Sequence, residues 1–166
     1  ERTLRETARL VKGTRDSVVD KVKQVLDRNR QLEKDVDALK AKLASSAGTD
    51  LAGSAVEVAG LKVVASEMEG ADRKALMETA DQLKNKLGEG VVVLATVEDG
   101  KVVLVAGVTK SATNRIKAGD LMKHLASLVD GKGGGRPDMA QGGGNDPSRL
   151  AEALAGVPAW VEQNIG

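Results

Sequence analysis

The feature that most constrains this chain is the stretch 131–144, in which half of the positions are glycine. Glycine has no Cβ, so it reaches positive φ easily and lets another molecule come close to the main chain. Ordering each such residue costs roughly 1–2 kcal/mol of conformational entropy. A loop closed against a surface can recover that cost, because consecutive N–H groups form an anion-binding concavity. We therefore predict an ordered glycine-rich loop at 131–144 that meets an anionic partner.

The alternative interpretation of this stretch is a flexible tether. Tethers are usually monotonous in Gly and Ser, whereas this one is interrupted by residues 136–141 and carries Lys132 and Arg136. Arginine can bind a phosphate or a guanine edge through two parallel hydrogen bonds. The residues that we predict to bind RNA are the glycine main chain and the basic or polar side chains near it: Lys132, Gly133, Gly134, Gly135, Arg136, Gln141, Arg115 and Lys117.

Composition excludes several classes of function. The chain has no cysteine, which excludes disulfides and thiolate metal sites and fits a reducing compartment. No apolar run reaches the ~18 residues that a membrane span requires. The formal net charge is only +1, so a polyanion must be held by a local basic patch. Because the chain starts at Glu1 inside an amphipathic pattern, we expect it to be a segment of a longer protein.

Apolar residues recur every three to four positions in the first third of the chain, which predicts helices at 2–12 and 15–46. Gly13 is interpreted as a helix stop and Thr14 as the next N-cap. An exposed apolar seam needs a second helix to cover it, and the open alternative is a helix lying on the globular part. The predicted dimerisation seam, with Asn29 fixing the register, is Val18, Val22, Val25, Asn29, Leu32, Val36, Leu39 and Leu43.

Small and polar residues with two glycines follow that helix, which indicates a boundary between domains. We predict a helical, coiled-coil-like subdomain at 1–47, a linker at 48–54 and a globular subdomain at 55–166. The expected fold class is α+β, with a small mixed sheet and helices on both faces.

The globular part has local signals for most of its elements. Asp99-Gly100 joins two continuous apolar runs, which predicts a hairpin at the centre of the sheet. The predicted strands are 55–58, 61–66, 91–97 and 102–108. The predicted helices are 72–87, 113–130, 147–155 and 158–164.

No self-contained active site is evident, and we expect no cofactor in this segment. His124, the single histidine, is expected on a solvated helix face without a catalytic role, and zinc ligands are lacking. The triplet 133–135 does not follow a predicted strand, and no Lys-Ser/Thr pair ends the stretch, so neither a dinucleotide motif nor a P-loop is indicated. The scarcity of aromatic residues disfavours single-strand binding by base stacking but is compatible with recognition of folded RNA by shape.

The segment Gly131–Gly143, GKGGGRPDMAQGG, resembles the glycine-rich signature that ends bacterial alanyl-tRNA synthetases. The resemblance covers nearly the whole chain, although the closing helices match only loosely. It extends through Arg30–Lys34, Val93–Thr96, Val105–Val108, Arg115–Gly119 and Leu121.

This resemblance implies the C-terminal region that follows the aminoacylation and editing domains of a cytoplasmic ligase. The region would join a coiled-coil-like part to a globular part related to the domain appended to DHH-type phosphoesterases. It would bind the outer corner, or elbow, of alanine-specific tRNA, form a homodimer and present tRNA to both active sites. The sites for ATP, alanine and zinc would lie in the other domains of the parent enzyme.

Two alternatives to tRNA binding stay open at this point. One is a purely structural module for oligomerisation or for packing between domains. The other is a phosphoesterase remnant. The related phosphoesterases carry a histidine after the glycine triplet where this chain has Arg136, and the metal-binding carboxylates of their catalytic domain are absent here, so nuclease activity is not expected.

Overall fold

The computed structural model describes residues 2–166, apart from the side chains of residues 44, 45 and 47–49. The chain forms two compact units, one extending to Lys40 and the other beginning at Ala41. The second unit contains a mixed six-stranded sheet with helices on both faces. The predicted α+β class is therefore confirmed.

The described residues contain no helix long and apolar enough to cross a membrane. In chain order the elements are α1 Arg2–Leu10, α2 Val18–Gly53, β1 Val56–Val58, β2 Leu61–Glu67, α3 Arg73–Leu87, β3 Gly90–Glu98, β4 Lys101–Val108, a 3-10 turn Lys110–Ala112, α4 Ala118–Leu128, β5 Gly131–Gly135, β6 Met139–Gly144, a 3-10 turn Pro147–Arg149, α5 Leu150–Ala155 and α6 Val157–Asn164.

The break between α1 and α2 lies where Gly13 predicted it, but α2 starts three residues later than expected. The N–H of Gly13 donates to the carbonyl of Ala8 at 2.8 Å, which closes α1. The N–H of Thr14 then donates to the Ser17 hydroxyl at 2.9 Å. Because Thr14 is tied into this turn rather than capping a helix, α2 begins only at Val18.

The linker predicted at 48–54 is wrong, because α2 continues as helix to Gly53. Alanine favours helix, and a single interior glycine costs only about 1 kcal/mol relative to it. Packing at the end of the helix offsets that cost, since Leu51 and Ala52 contact the apolar core of the second unit. The small residues of this stretch therefore form the last turns of a helix.

The sheet has the order β1-β2-β3-β4-β6-β5, with β3 and β4 at its centre. Strands β2 and β3 are parallel and are connected through α3, while the other neighbours are antiparallel. The β3–β4 turn has Asp99 at φ 48° and Gly100 at φ 74°, the pair of positive φ values that a tight hairpin turn needs. The central hairpin is therefore confirmed.

Two apolar cores lie on opposite faces of the sheet. Helix α3 covers one face and contacts β3 and β4 through side chains such as Leu76 and Leu83. Helices α4, α5 and α6 cover the other face. The central strands are buried on both faces, which explains their unbroken runs of Val, Leu and Ala.

Helix α3 has the predicted ends, whereas α4 is shorter than predicted. The Asp72 carboxylate accepts the N–H of Ala75 at 2.8 Å, and Gly88 takes φ 76° after the last turn of α3. Residues 113–117 are not helical, because α4 starts only where the N–H of Ala118 donates to the carbonyl of Pro137 at 2.9 Å.

Candidate nucleic-acid interface

The stretch 131–144 is a β-hairpin, so the prediction of a glycine-rich loop is wrong. Strand β6 pairs with β4 through contacts such as Gly143 with Val103. Strand β5 pairs with β6 on its outer side, so that Gly133 lies beside Gly142. The hydrogen bonds of these two ladders stabilise the main chain within the protein itself. We call residues 131–144 the glycine hairpin.

Close packing by α4 explains two of these glycines, Gly133 and Gly142, since a Cβ at either would lie 2.7 Å from the side chain of Met122. A Cβ at Gly119 of α4 would lie 2.9 Å from the carbonyl oxygen of Gly135. Real Cβ atoms do not come this close to other heavy atoms. The helix therefore requires a main chain without side chains beneath it, and an anionic partner is not needed to order this segment.

The other face of the hairpin is open. Because neighbouring residues of a strand point to opposite faces, Lys132 and Gly134 lie on the side away from α4. A Cβ at Gly134 would meet nothing within 4 Å, and Lys132 is exposed. On β6, Gln141 pairs with Gly134 and Gly143 pairs with Lys132. Lys132, Gly134 and Gln141 form what we call the open face, whereas a Cβ at Gly143 would clash with the carbonyl oxygen of Val102.

Lys132 lies in a cleft of about 730 Å³ at one end of the open face. Two further cations line this cleft, Arg73 at the start of α3 and Lys101 at the start of β4. Sequence reasoning missed both, because only the folding of the sheet brings them to the hairpin. The cleft also contains three carboxylates, which belong to Glu98, Asp99 and Asp130.

Arg136 lies in the turn at the other end of the hairpin. It lies four positions after Lys132, which corresponds to about 13 Å along the strand. Its side chain is 78% exposed, and its Nε lies 3.4 Å from Oδ1 of Asp138. An ion pair this exposed contributes little to stability, so the guanidinium is available to a ligand.

The remaining predicted cations do not join Lys132. Lys117 is exposed and immediately precedes Ala118, whose bond to Pro137 places it beside the turn that holds Arg136. The guanidinium of Arg115 donates to the carbonyl of Ala59 in the β1–β2 turn at 3.0 Å. Lys132 and Arg136 thus lie at opposite ends of the hairpin, and Lys117 lies near Arg136. Arg115 reaches the β1–β2 turn, whose strands lie at the other side of the sheet from the hairpin.

His124 is not the solvated residue that was expected. It is half-buried, and its ring stacks on that of Trp160 with 5.7 Å between centroids and an interplanar angle of 24°. Over the described residues, no group of three or more His, Cys, Asp and Glu side chains is placed to hold a metal ion.

Residues 60–163 match the DHHA1 domain family. Among curated proteins, the chain is 55% identical over 166 residues to the alanine–tRNA ligase of Xanthomonas campestris pv. campestris and 56% identical over 165 residues to that of Pseudomonas entomophila. These alignments include 100% and 99% of the chain. The chain spans about a fifth of the length of these relatives, 19% in each case.

Two solved structures resemble the fold. The C-Ala domain of Aquifex aeolicus alanyl-tRNA synthetase has a TM-score of 0.61 and 27% identity, over 65% of this chain and 97% of that one. RecJ from Thermus thermophilus, in complex with Mg²⁺, has a TM-score of 0.56 and 16% identity, over 95% of this chain and 23% of that one. The second likeness shows the fold alone.

Proposed function

Because this chain belongs to the DHHA1 domain family and matches alanine–tRNA ligases along its whole length, we propose that it is the non-catalytic, tRNA-binding C-terminal domain of such a ligase. In this role it binds the outer corner of alanine-specific tRNA in the cytoplasm. It holds the tRNA for the aminoacylation and editing domains, and it contributes to a homodimer. ATP and zinc belong to the other domains of the parent enzyme.

The open face of the glycine hairpin is the observation that carries the proposal. Gly134 presents bare main chain with empty space in front of it, so a sugar-phosphate backbone can come into direct contact. Lys132 lies on this face and Arg136 lies in the turn at its end, so cations flank the bare segment. Contacts to phosphate and main chain fix a folded RNA by its shape and not by its sequence.

Replacing both cations tests this assignment. The variant Lys132→Ala with Arg136→Ala should bind tRNA more weakly, and the slope of log affinity against log salt should fall by about 2, one for each lost phosphate contact. The measurement is a filter-binding series over several salt concentrations. The matched control is Lys62→Ala with Arg149→Ala, which removes the same charge from β2 and from the turn before α5.

A third variant tests the close approach of RNA to the main chain without changing the charge of the interface. A Cβ at Gly134 meets nothing within 4 Å, so Gly134→Val should fold normally and still weaken tRNA binding. The proposed interface is wrong if the double variant and Gly134→Val both bind tRNA like the unmodified chain.

Helix α2 supports the dimerisation part of the proposal. The proposed seam exposes 53% of Val25, 52% of Leu32, 59% of Leu39 and 71% of Leu43, and Val36 is also exposed. Val18 is already buried and Val22 half-buried in the single chain. The amide of Asn29 donates to Glu33 at 3.2 Å. An apolar stripe this exposed favours a second helix against the part of the seam after Val22.

A purely structural module is the second candidate, favoured by this same stripe. Deleting residues 1–40, the first compact unit, discriminates between the two candidates. Both predict loss of the dimer, but only the tRNA-binding proposal predicts that the remaining unit still binds tRNA.

A further inference from the structure

A small pocket on the α4–α6 side of the globular unit lies outside the glycine hairpin. Its volume is about 290 Å³, just below the range of about 300–1,000 Å³ that is usual for small-molecule sites. It therefore has room for one planar group and not for a large ligand. The pocket is lined by Asn114, Arg115, Ile116, Lys117, Asp120, Trp160 and Asn164.

The position of Trp160 is unusual for a chain of this composition. The sequence has one Trp, no Phe and no Tyr, and both apolar cores consist mainly of Val, Leu and Ala. The single large aromatic ring is nevertheless only half-buried and lines this pocket. The ring of His124 stacks on it and holds it in place. The ring also packs against the apolar core on this side of the sheet.

Most of the other groups in the pocket suit a nucleotide; the exception is the carboxylate of Asp120, which lies 3.6 Å from the ammonium of Lys123. Lys117 is an exposed cation that can contact a phosphate. The amides of Asn114 and Asn164 both donate and accept, as the edge of a base requires; Asn164 uses one donor on the carbonyl of Trp160 at 2.8 Å. The guanidinium of Arg115 has five N–H donors, and the contact with Ala59 uses one of them.

The pocket adjoins the turn of the glycine hairpin. Lys117 lines the pocket, and the next residue, Ala118, donates its N–H to the carbonyl of Pro137 at 2.9 Å. Pro137 directly follows Arg136 in the hairpin turn. The pocket and the turn that holds Arg136 are therefore neighbours on the surface of this unit.

We propose that this pocket takes one unpaired base of the bound tRNA, in contact with the indole of Trp160 and with its phosphate near Lys117. The proposal rests on the proposed tRNA-binding function and adds a site for a single base to it. One aromatic ring is enough for one base, although the chain lacks the several rings that stack a whole single strand.

The single tryptophan allows a direct assay, because all indole fluorescence of this chain comes from Trp160. Saturating tRNA should quench that fluorescence. Free nucleoside monophosphates at the same concentration should have little effect, because they lack the contacts with the hairpin. If a free monophosphate quenches as strongly as tRNA does, the pocket is a site for free nucleotides and the proposal is overturned.

Variants of Trp160 decide whether the quenching reflects stacking. Trp160→Leu keeps the apolar contact with the core and removes the ring, so the Kd for tRNA should rise about 5-fold to 150-fold. Trp160→Phe restores a ring and should return most of the affinity. The matched control, Gln163→Ala, changes an exposed residue of the same helix and should bind like the unmodified chain.

The outcomes separate this proposal from the one on which it rests. If tRNA binds with unchanged fluorescence, or if Trp160→Leu binds it normally, the pocket is not a base site and the tRNA-binding proposal stands. If the unmodified chain does not bind tRNA at all, both are overturned. Thermal unfolding of each variant shows that a lost affinity does not come from a lost fold.

Discussion

Gly133 and Gly134 are neighbours in β5 and offer a direct test of why this hairpin is built from glycine. A Cβ at Gly133 would lie 2.7 Å from Met122 Cγ and 2.9 Å from Gly142 Cα, whereas a Cβ at Gly134 would meet nothing within 4 Å. Gly133→Ala should therefore strain the contact with α4. Gly134→Ala should change stability only by restricting the conformations of the unfolded chain, since neither residue has a positive φ in the folded protein.

The size of the difference follows from two effects. Replacing Gly by Ala stabilises a compatible site by about 0.4–1 kcal/mol through the unfolded state, and this gain is common to both variants. Overpacking costs about 1–3 kcal/mol and applies to Gly133→Ala alone. The free energies of unfolding should therefore differ by about 1–3 kcal/mol, which corresponds to Tm values roughly 2–12 °C apart for a chain of this size.

Thermal and urea unfolding followed by Trp160 fluorescence measures this difference, because the indole lies in the same compact unit as the hairpin. Met122→Ala removes the first atom that the new methyl group would meet. Combined with Gly133→Ala, it should show a favourable coupling energy of about 0.5 kcal/mol or more. Equal stability of the two single alanine variants, or additivity in the double variant, would refute the explanation by close packing.

Two further predictions concern the helical seam and buried hydroxyls. Leu32→Glu should raise the dissociation constant of the dimer tenfold or more, because an unpaired charge would be buried; light scattering over a concentration series measures this, and the exposed Gln24→Glu is its control. Thr96 is fully buried, and its hydroxyl has no hydrogen-bond partner among the described residues, so Thr96→Val should stabilise the fold by about 1 kcal/mol. Thr109→Val should destabilise the fold by about 1–3 kcal/mol, since the Thr109 hydroxyl accepts the buried N–H of Gly90 at 3.0 Å. If denaturant unfolding shows that Thr96→Val is the less stable of these two variants, both threonine predictions are contradicted.

Elements with local determinants could be predicted from the sequence. The β3–β4 hairpin needs two positive φ values, and Asp99-Gly100 supplies them. Helix α3 has a side-chain cap at Asp72 and a glycine at Gly88, and both ends follow from those residues. In each case, the residues that fix the element lie within it or next to it.

Elements that depend on distant partners could not be predicted. Strand β5 has almost no side chains, so it shows no alternation, and its conformation comes from its pairing with β6 and the packing of α4. The start of α4 depends on the carbonyl of Pro137, about twenty residues further along the chain. The same holds for the candidate interface, where Arg73 and Lys101 reach the hairpin only through the folded sheet.

Strand β5 is the last strand of the sheet, and within the described residues it pairs with β6 alone. An edge strand with almost no side chains exposes unpaired N–H and C=O groups, to which strands of other molecules can pair. Proteins commonly place a lysine on such an edge to prevent this. Lys132 is the one charged residue of β5. Its ammonium group would then protect the free protein from aggregation before any RNA is bound. A chain without this charge would show weaker binding at low concentration and poor solubility at high concentration.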